Sequence, residues 1–284
     1  MTDTAAPDTG IGGCREVGPG ESRAVSDVLA SDPLVAAPAA EKFATSGVVA
    51  GADGRFLTLG GPARSLVFVG SSVLPLRGDD ADHRALGRAV AGLGLGPMSV
   101  HGRREQVASL WPALRDAWGE AREYRDQQYL MTLERPVDPA MIPDGIRPAT
   151  LEEFEPVLAA AAAMYREELR ADPFAVGAGI PFRRRVARSL ARGRTWIGLE
   201  RGEVVFKADV AALAPRVAQI QGIWVHRDKR GAGLGSGGTA AVCAALRSRG
   251  LTPSLVVNGP NVAARAAYRR VGMTDAVDYA TVLL

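Results

Sequence analysis

Residues 221–246 read QGIWVHRDKRGAGLGSGGTAAVCAAL. An apolar run ends at Val225, a short basic turn follows, and Arg230-Gly231-Ala232-Gly233-Leu234-Gly235-Ser236 leads into a helical stretch. Glycines at such a junction let a ligand approach the backbone closely. The first N–H groups of the helix have no partner inside it and lie at the positive end of its dipole. Phosphate is the natural occupant of such a place. A Walker loop would need Lys-Ser/Thr after its second glycine, but Gly235 is followed by Ser236-Gly237. A dinucleotide fingerprint nearly fits Gly231, Gly233 and Ser236. It comes late, after a hairpin, and lacks the acidic residue expected about 20 residues on. The pattern left is Arg-x-x-Gly-x-Gly, met by Arg230, Gly233 and Gly235.

A second constellation is NGPNVAARAAYRR, residues 258–270. Asn258 and Asn261 are the only asparagines in the chain. The stretch NGPN is strong turn chemistry, and an asparagine side chain can cap a helix or bond an amide-rich ligand. Tyr268 carries a phenol that keeps its proton at neutral pH.

The elements that must position these groups can be read from pattern. Residues 1–20 read as a disordered leader rich in Gly, Pro, Asp and Thr. A first unit, 21–138, is expected to contain helices at SRAVSDVLASDPLV and AAEKFATSG, then strands at RFLTLG and SLVFVGSSVLPL. A helix (DDADHRALGRAVAGLG), a short strand (PMSVHG), an amphipathic helix holding Pro112 and a strand (QQYLMTLE) complete it. Four prolines in RPVDPAMIPDGIRP mark the boundary. In 139–284, Thr150 and Glu153 form a capping box before a long helix. A second helix, a hairpin turning at Arg201-Gly202, and the strand VAQIQGIWVH lead to the glycine loop. Helix, strand, helix and a terminal strand complete the chain.

The loop VHRDKRGAGLGSGG resembles the pyrophosphate loop of the GNAT superfamily of acyl-CoA-dependent N-acetyltransferases. The resemblance runs from GIRPAT to the C-terminus, about 145–284. It implies an α/β fold of mixed, mostly antiparallel sheet flanked by helices, with a splayed strand pair at the CoA site. Ile223, Trp224 and Val225 would form the strand that bonds the pantetheine arm, and the backbone of Arg230 to Ser236 would hold the pyrophosphate. The family's Asn-x-x-Ala-x-x-x-Tyr-x-x-x-Gly-Phe is matched by Asn261, Ala264, Tyr268 and Gly272, with Met273 in place of the Phe. Asn258 and Asn261 would then face the CoA arm, and Tyr268 would protonate the departing thiolate. Relatives often supply a glutamate on the strand before the loop as base. Here Gln219 and Gln221 stand eleven and nine residues before Arg230, and neither can accept a proton. Asp209 and Glu168 are the substitutes, beside a water relay. Lys207, near Asp209, reads as an outward-facing strand residue, and His226 as a solvated turn histidine.

The first unit repeats the strand and helix order of half a GNAT domain, but Arg77-Gly78-Asp79-Asp80 replaces the loop and its aspartates would repel phosphate. It is expected to be a degenerate GNAT-like domain, and the layout is similar to bacterial two-part proteins with an uncharacterised N-terminal domain. The resemblance thus implies acetyl-CoA as cosubstrate and an amine-bearing small molecule or protein as acceptor. A non-catalytic acyl-CoA sensor or interaction module is the alternative.

Composition limits the remaining classes. The chain has 284 residues, 47% of them hydrophobic, and a net charge of +3 from 34 basic and 31 acidic side chains. This balance gives no strong reason to invoke nucleic acid, whose binders concentrate positive charge in a patch or stripe. No apolar run approaches the roughly 20 residues of a membrane helix. The three histidines are scattered, so no metal site is expected. Cys14 and Cys243 lie in unlike contexts, and the first residues have neither the basic nor the apolar region of a signal peptide. A cytoplasmic monomer or homodimer is expected.

Overall fold

The computed structural model describes residues 13–49, 51, 54–96, 98–175 and 177–284. The chain divides into two compact units, one of residues 1–130, 258–260 and 275–284, the other of 131–257 and 261–274. The expected leader lies mostly outside the described residues. Within it, Cys14–Glu16 is not leader but strand β1.

In the first unit β1 (Cys14–Glu16) is followed by α1 (Ser22–Ser31), α2 (Ala37–Ser46), β2 (Arg55–Leu59), β3 (Leu66–Val69) and β4 (Val73–Arg77). Then come α3 (Asp80–Gly92), β5 (Val100–Arg103), α4 (Arg104–Trp118) and β6 (Glu123–Thr132). SLVFVGSSVLPL, expected as one strand, is two. They pair antiparallel about Gly70–Ser72, with Val69 opposite Val73. β1 to β4 form an antiparallel meander and β4 pairs parallel with β5. The terminal strand β12 (Thr274–Leu283) pairs antiparallel with β5, Tyr279 opposite Arg103. Chain order places this strand in the second domain, but its residues from Asp275 onward group with the first unit.

Helices α3 and α4 cover this sheet with Leu86, Val90, Leu110, Trp111 and Leu114 over Val67, Val73 and Val100. The helices come close because position 87 is glycine: a Cβ there would meet the Leu110 carbonyl at 2.8 Å. Pro112 sits inside α4 without ending it. At the start of α3, Asp79 Oδ1 accepts the Asp82 N–H at 2.8 Å. This carboxylate already fills the helix N-terminus.

The second unit holds β7 (Arg147–Pro148), α5 (Phe154–Leu169), α6 (Gly179–Ala191), β8 (Thr195–Glu200), β9 (Glu203–Leu213) and β10 (Val217–Val225). α7 (Leu234–Ser248), β11 (Thr252–Asn258) and α8 (Val262–Val271) come next. The sheet order is β7-β8-β9-β10-β11, antiparallel except for the β10/β11 pair joined through α7. The β8/β9 turn is Arg201-Gly202, with φ of 52° and 84°, the doubly positive geometry that a tight hairpin requires. Glu153 returns to the Thr150 N–H at 2.8 Å, as the capping box predicts. α5 and α6 bury Val157, Leu158, Ala161, Phe182 and Val186 against Ile197, Val204 and Trp224. No helix among the described residues is long and apolar enough to cross a membrane.

On the other face α7 lies so close to β9 that a Cβ on Gly238 would run into three ring carbons of Phe206. That ring is fully buried and cannot swing away. Gly238→Ala would gain about 1 kcal/mol of helix propensity. Overpacking of this severity costs about 1–3 kcal/mol, so a net fall in melting temperature is expected. An unchanged or raised melting temperature in a thermal scan would show that α7 has room here.

Candidate functional site

The site begins where two parallel strands part. β10 and β11 pair from Val217/Thr252 to Ile220/Leu255, and the registered pairs end there. β10 runs on to Val225 and β11 to Asn258. On its other side, β10 pairs with β9 through Gln221/Asp209, breaks register, and resumes at Trp224/Lys207. Gly222 makes the bulge with a φ of 58°. The splay and the bulge leave the Gln221–Val225 backbone less committed to the sheet than the rest of the strand.

The glycine loop comes directly after β10. His226 Nδ1 accepts the Asp228 N–H at 3.4 Å and caps a short turn at Arg227–Lys229. Gly231 and Gly233 have φ of 80° and 86°, a left-handed conformation that only glycine enters cheaply, and a Cβ on either would meet nothing within 4 Å. Gly233 is the N-cap of α7, and Gly237 N–H donates to Gly233 O at 2.9 Å. The amides of Leu234, Gly235 and Ser236 thus precede the helix ladder. Gly235 packs beside Val225. The Ser236 hydroxyl turns back to donate to Gly233 O at 2.9 Å. Arg230 also turns inward: its Nε donates to Val225 O at 3.0 Å, and its guanidinium pairs with Glu167 on α5 at 2.6 Å.

The candidate proton-transfer residues lie on different elements. Asp209, 18% exposed at its side chain, faces the bulge, and a Cβ on Gly222 would lie 3.3 Å from its Oδ2. Its Oδ1 accepts the Thr195 hydroxyl at 2.7 Å, and its Oδ2 pairs with Lys207. Lys207 is 2% exposed, so it does not face outward as its strand pattern suggested. Tyr268 is buried in α8. Burial, with smaller contributions from Glu168 and Cys243, pushes its phenol well above the ordinary tyrosine range. Glu168 is exposed on α5 and acts on Tyr268 through its field.

The two asparagines have partners of their own. Asn261 Oδ1 accepts the Ala264 N–H at 3.1 Å and caps α8. Asn258 ends β11, and its Oδ1 accepts the Gln128 Nε2–H at 2.7 Å.

Comparison with known families decides the assignment. Residues 160–273 match the Acetyltransferase (GNAT) family. This part of the chain is a GNAT domain. Residues 54–157 match a domain of unknown function, DUF4081. No curated protein matches the chain. Among solved structures, it is similar to a GNAT-family acetyltransferase from Colwellia psychrerythraea at 12% identity and a TM-score of 0.54, covering 95% of this chain and 98% of that one. A GCN5-related N-acetyltransferase from Sphaerobacter thermophilus aligns at 18% identity, 94% and 93% coverage and a TM-score of 0.58. A Drosophila protein aligns at 13%, 96% and 98%, with a TM-score of 0.66. These neighbours establish the GNAT fold over most of the chain.

Two groups in the GNAT domain escape a reading of the sequence alone. Glu167, the partner of Arg230, stands beside the more obvious candidate Glu168. The Lys207–Asp209 pair carries a signal that could have found it, since its two-residue spacing puts both side chains on one strand face.

Proposed function

We propose that the GNAT domain transfers the acetyl group of acetyl-CoA to a primary amine of a small molecule or protein. The observation that carries this reading is the end of β10, bulged against β9 and parted from β11, running straight into a left-handed Gly231/Gly233 turn ahead of α7. Backbone donors in that order suit an amide-bearing arm followed by a pyrophosphate. The open space at Gly231 and Gly233 suits close backbone approach, and the amides of Leu234, Gly235 and Ser236 are the donors that would hold the phosphates. Ile223, Trp224 and Val225 would line the pantetheine arm, and Asn258, Asn261 and Ala264 its far side. Acetyl-CoA supplies the activated acyl carbon. The acceptor must react as a neutral amine, and Asp209, beside the bulge, is the group we assign to accept its proton, with Glu168 as the substitute. Tyr268 keeps its proton at neutral pH and is the group we assign to return one to the leaving sulfur, with burial holding that proton more tightly than in an ordinary phenol. The two cysteines are free and buried, which suits a reducing cytoplasm.

One observation favours the non-catalytic acyl-CoA sensor: Lys207 already neutralises Asp209. Tyr268→Phe separates the two readings. An enzyme keeps acetyl-CoA binding and loses turnover, whereas a sensor has no turnover to lose.

Calorimetric titration with acetyl-CoA tests the site itself. Wild-type protein should bind with a dissociation constant on the order of 1 μM, near −8 kcal/mol. The Arg230→Glu/Gly233→Asp variant, which places carboxylates among the phosphate donors, should show no binding. Well-folded wild type that fails to bind acetyl-CoA would overturn the proposal.

A further inference from the structure

Residues 179–194, which span α6 and the turn after it, hold six arginines and no carboxylate. The whole chain carries only +3, so the remainder is net acidic and the positive charge is concentrated here. Phe182, Val186 and Leu190, four residues apart, bury one side of α6 in the core it shares with α5. A step of four residues advances about 40° around a helix and about 6 Å along it. The same spacing therefore lines up a second stripe on the opposite side: Ile180, Arg184, Arg188 and Arg192. Arg183 lies off this stripe and pairs with Glu155 at 2.7 Å, and Arg185 sits over the Phe182 ring at 5.0 Å. Arg184, Arg188 and Arg192 are exposed and have no side-chain partner among the described residues. At the head of the stripe Ile180 is 67% exposed. Phe174, 40% exposed, packs beside it, since a Cβ on Gly179 would lie 3.6 Å from the Phe174 ring.

A row of free guanidiniums calls for a polyanion. The uncovered apolar tip decides which one, because a phosphodiester backbone has nowhere to bury Ile180 and Phe174. An anionic bilayer offers both partners in one plane, phosphates at its surface and acyl chains beneath them. We propose that this face of α6 docks on an anionic membrane surface. Arg184, Arg188 and Arg192 meet lipid phosphates, and Ile180 and Phe174 dip into the acyl boundary. The apolar side of α6 stays in the core, so the helix rests on the bilayer and does not cross it. Docking needs no acetyl-CoA, so its test does not depend on acyl transfer.

The experiment is flotation of the full-length protein with vesicles of equal parts phosphatidylcholine and phosphatidylglycerol, beside vesicles of phosphatidylcholine alone. The wild type should float with the anionic vesicles only, and added salt should release it. Arg188→Gln should weaken binding about fivefold, the worth of one guanidinium near an anionic surface. Arg184→Glu/Arg188→Glu should abolish it, Ile180→Asn should weaken it, and Arg249→Glu, an exposed charge on α7, should leave it unchanged. No flotation of the wild type, equal flotation on phosphatidylcholine alone, or an equal loss in Arg249→Glu would each overturn the proposal. A short DNA duplex that binds more tightly than the vesicles, with no effect of Ile180→Asn, would overturn it in favour of nucleic acid. Should the double variant not fold, Arg188→Gln and Ile180→Asn against Arg249→Glu decide alone.

Discussion

Asp209→Asn is expected to destabilise the GNAT domain by about 3–5 kcal/mol, because it leaves the Lys207 ammonium buried without its counter-charge. Lys207 is 2% exposed, whereas the Asp209 side chain is 18% exposed and keeps the Thr195 and Ser189 hydroxyls as donors. The reverse change, Lys207→Met, should therefore cost less, nearer the lower end of that range. A Lys207→Met/Asp209→Leu double variant removes both charges and should recover much of the loss, since apolar replacement of a buried pair is often neutral. Urea denaturation compares these losses, and an Asp209→Leu single variant closes the double-mutant cycle that measures the coupling. Single variants that each cost under about 1 kcal/mol would show that the pair is hydrated and weak. The result also governs how kinetics are read. A drop in turnover for Asp209→Asn reports on proton transfer only at temperatures where the variant remains folded.

Acid is expected to loosen the first unit before carboxylate titration begins. His101 lies in β5, with Nε2 2.8 Å from the Ser72 hydroxyl and Nδ1 2.6 Å from the Tyr279 hydroxyl. Burial pushes its imidazole down from 6.5 to about 4. The folded pKa lies below the unfolded one, so below pH 6.5 the unfolded chain takes up the proton first. Stability from this group is full above pH 6.5 and falls as the pH drops toward 4. The whole difference corresponds to about 3 kcal/mol. His83, also pushed down by burial, adds in the same direction. The ion-paired carboxylates Glu21 and Glu153 are held below their ordinary values, so their contributions are lost only at lower pH. Urea midpoints at pH 7 and pH 4.5, for wild type and His101→Gln, test this. The wild type should lose more stability than the variant. Equal losses would exclude His101 as the source.

Local chemistry was legible in the chain wherever one turn encodes it. Gly231 and Gly233 must bend left-handed, Asn261 must cap the helix after it, Thr150 with Glu153 must open a helix, and Arg201-Gly202 must turn a hairpin. Each depends on groups within three or four residues of one another, so spacing alone sufficed. The order of elements was readable for the same reason, since hydrophobic period and breakers are local. Pairing across distance was not. Arg230 meets Glu167 63 residues earlier, and Asn258 meets Gln128 130 residues away. Cys14–Glu16 became a strand only because β2 offers an edge, and β12 joined β5 through a register that no composition specifies. The sequence by itself determined the left-handed glycine loop, its helix and the strand that feeds it. The tertiary structure decided which carboxylate faces the bulge and which cation holds it, because backbone pairing and burial, rather than residue type, set those distances.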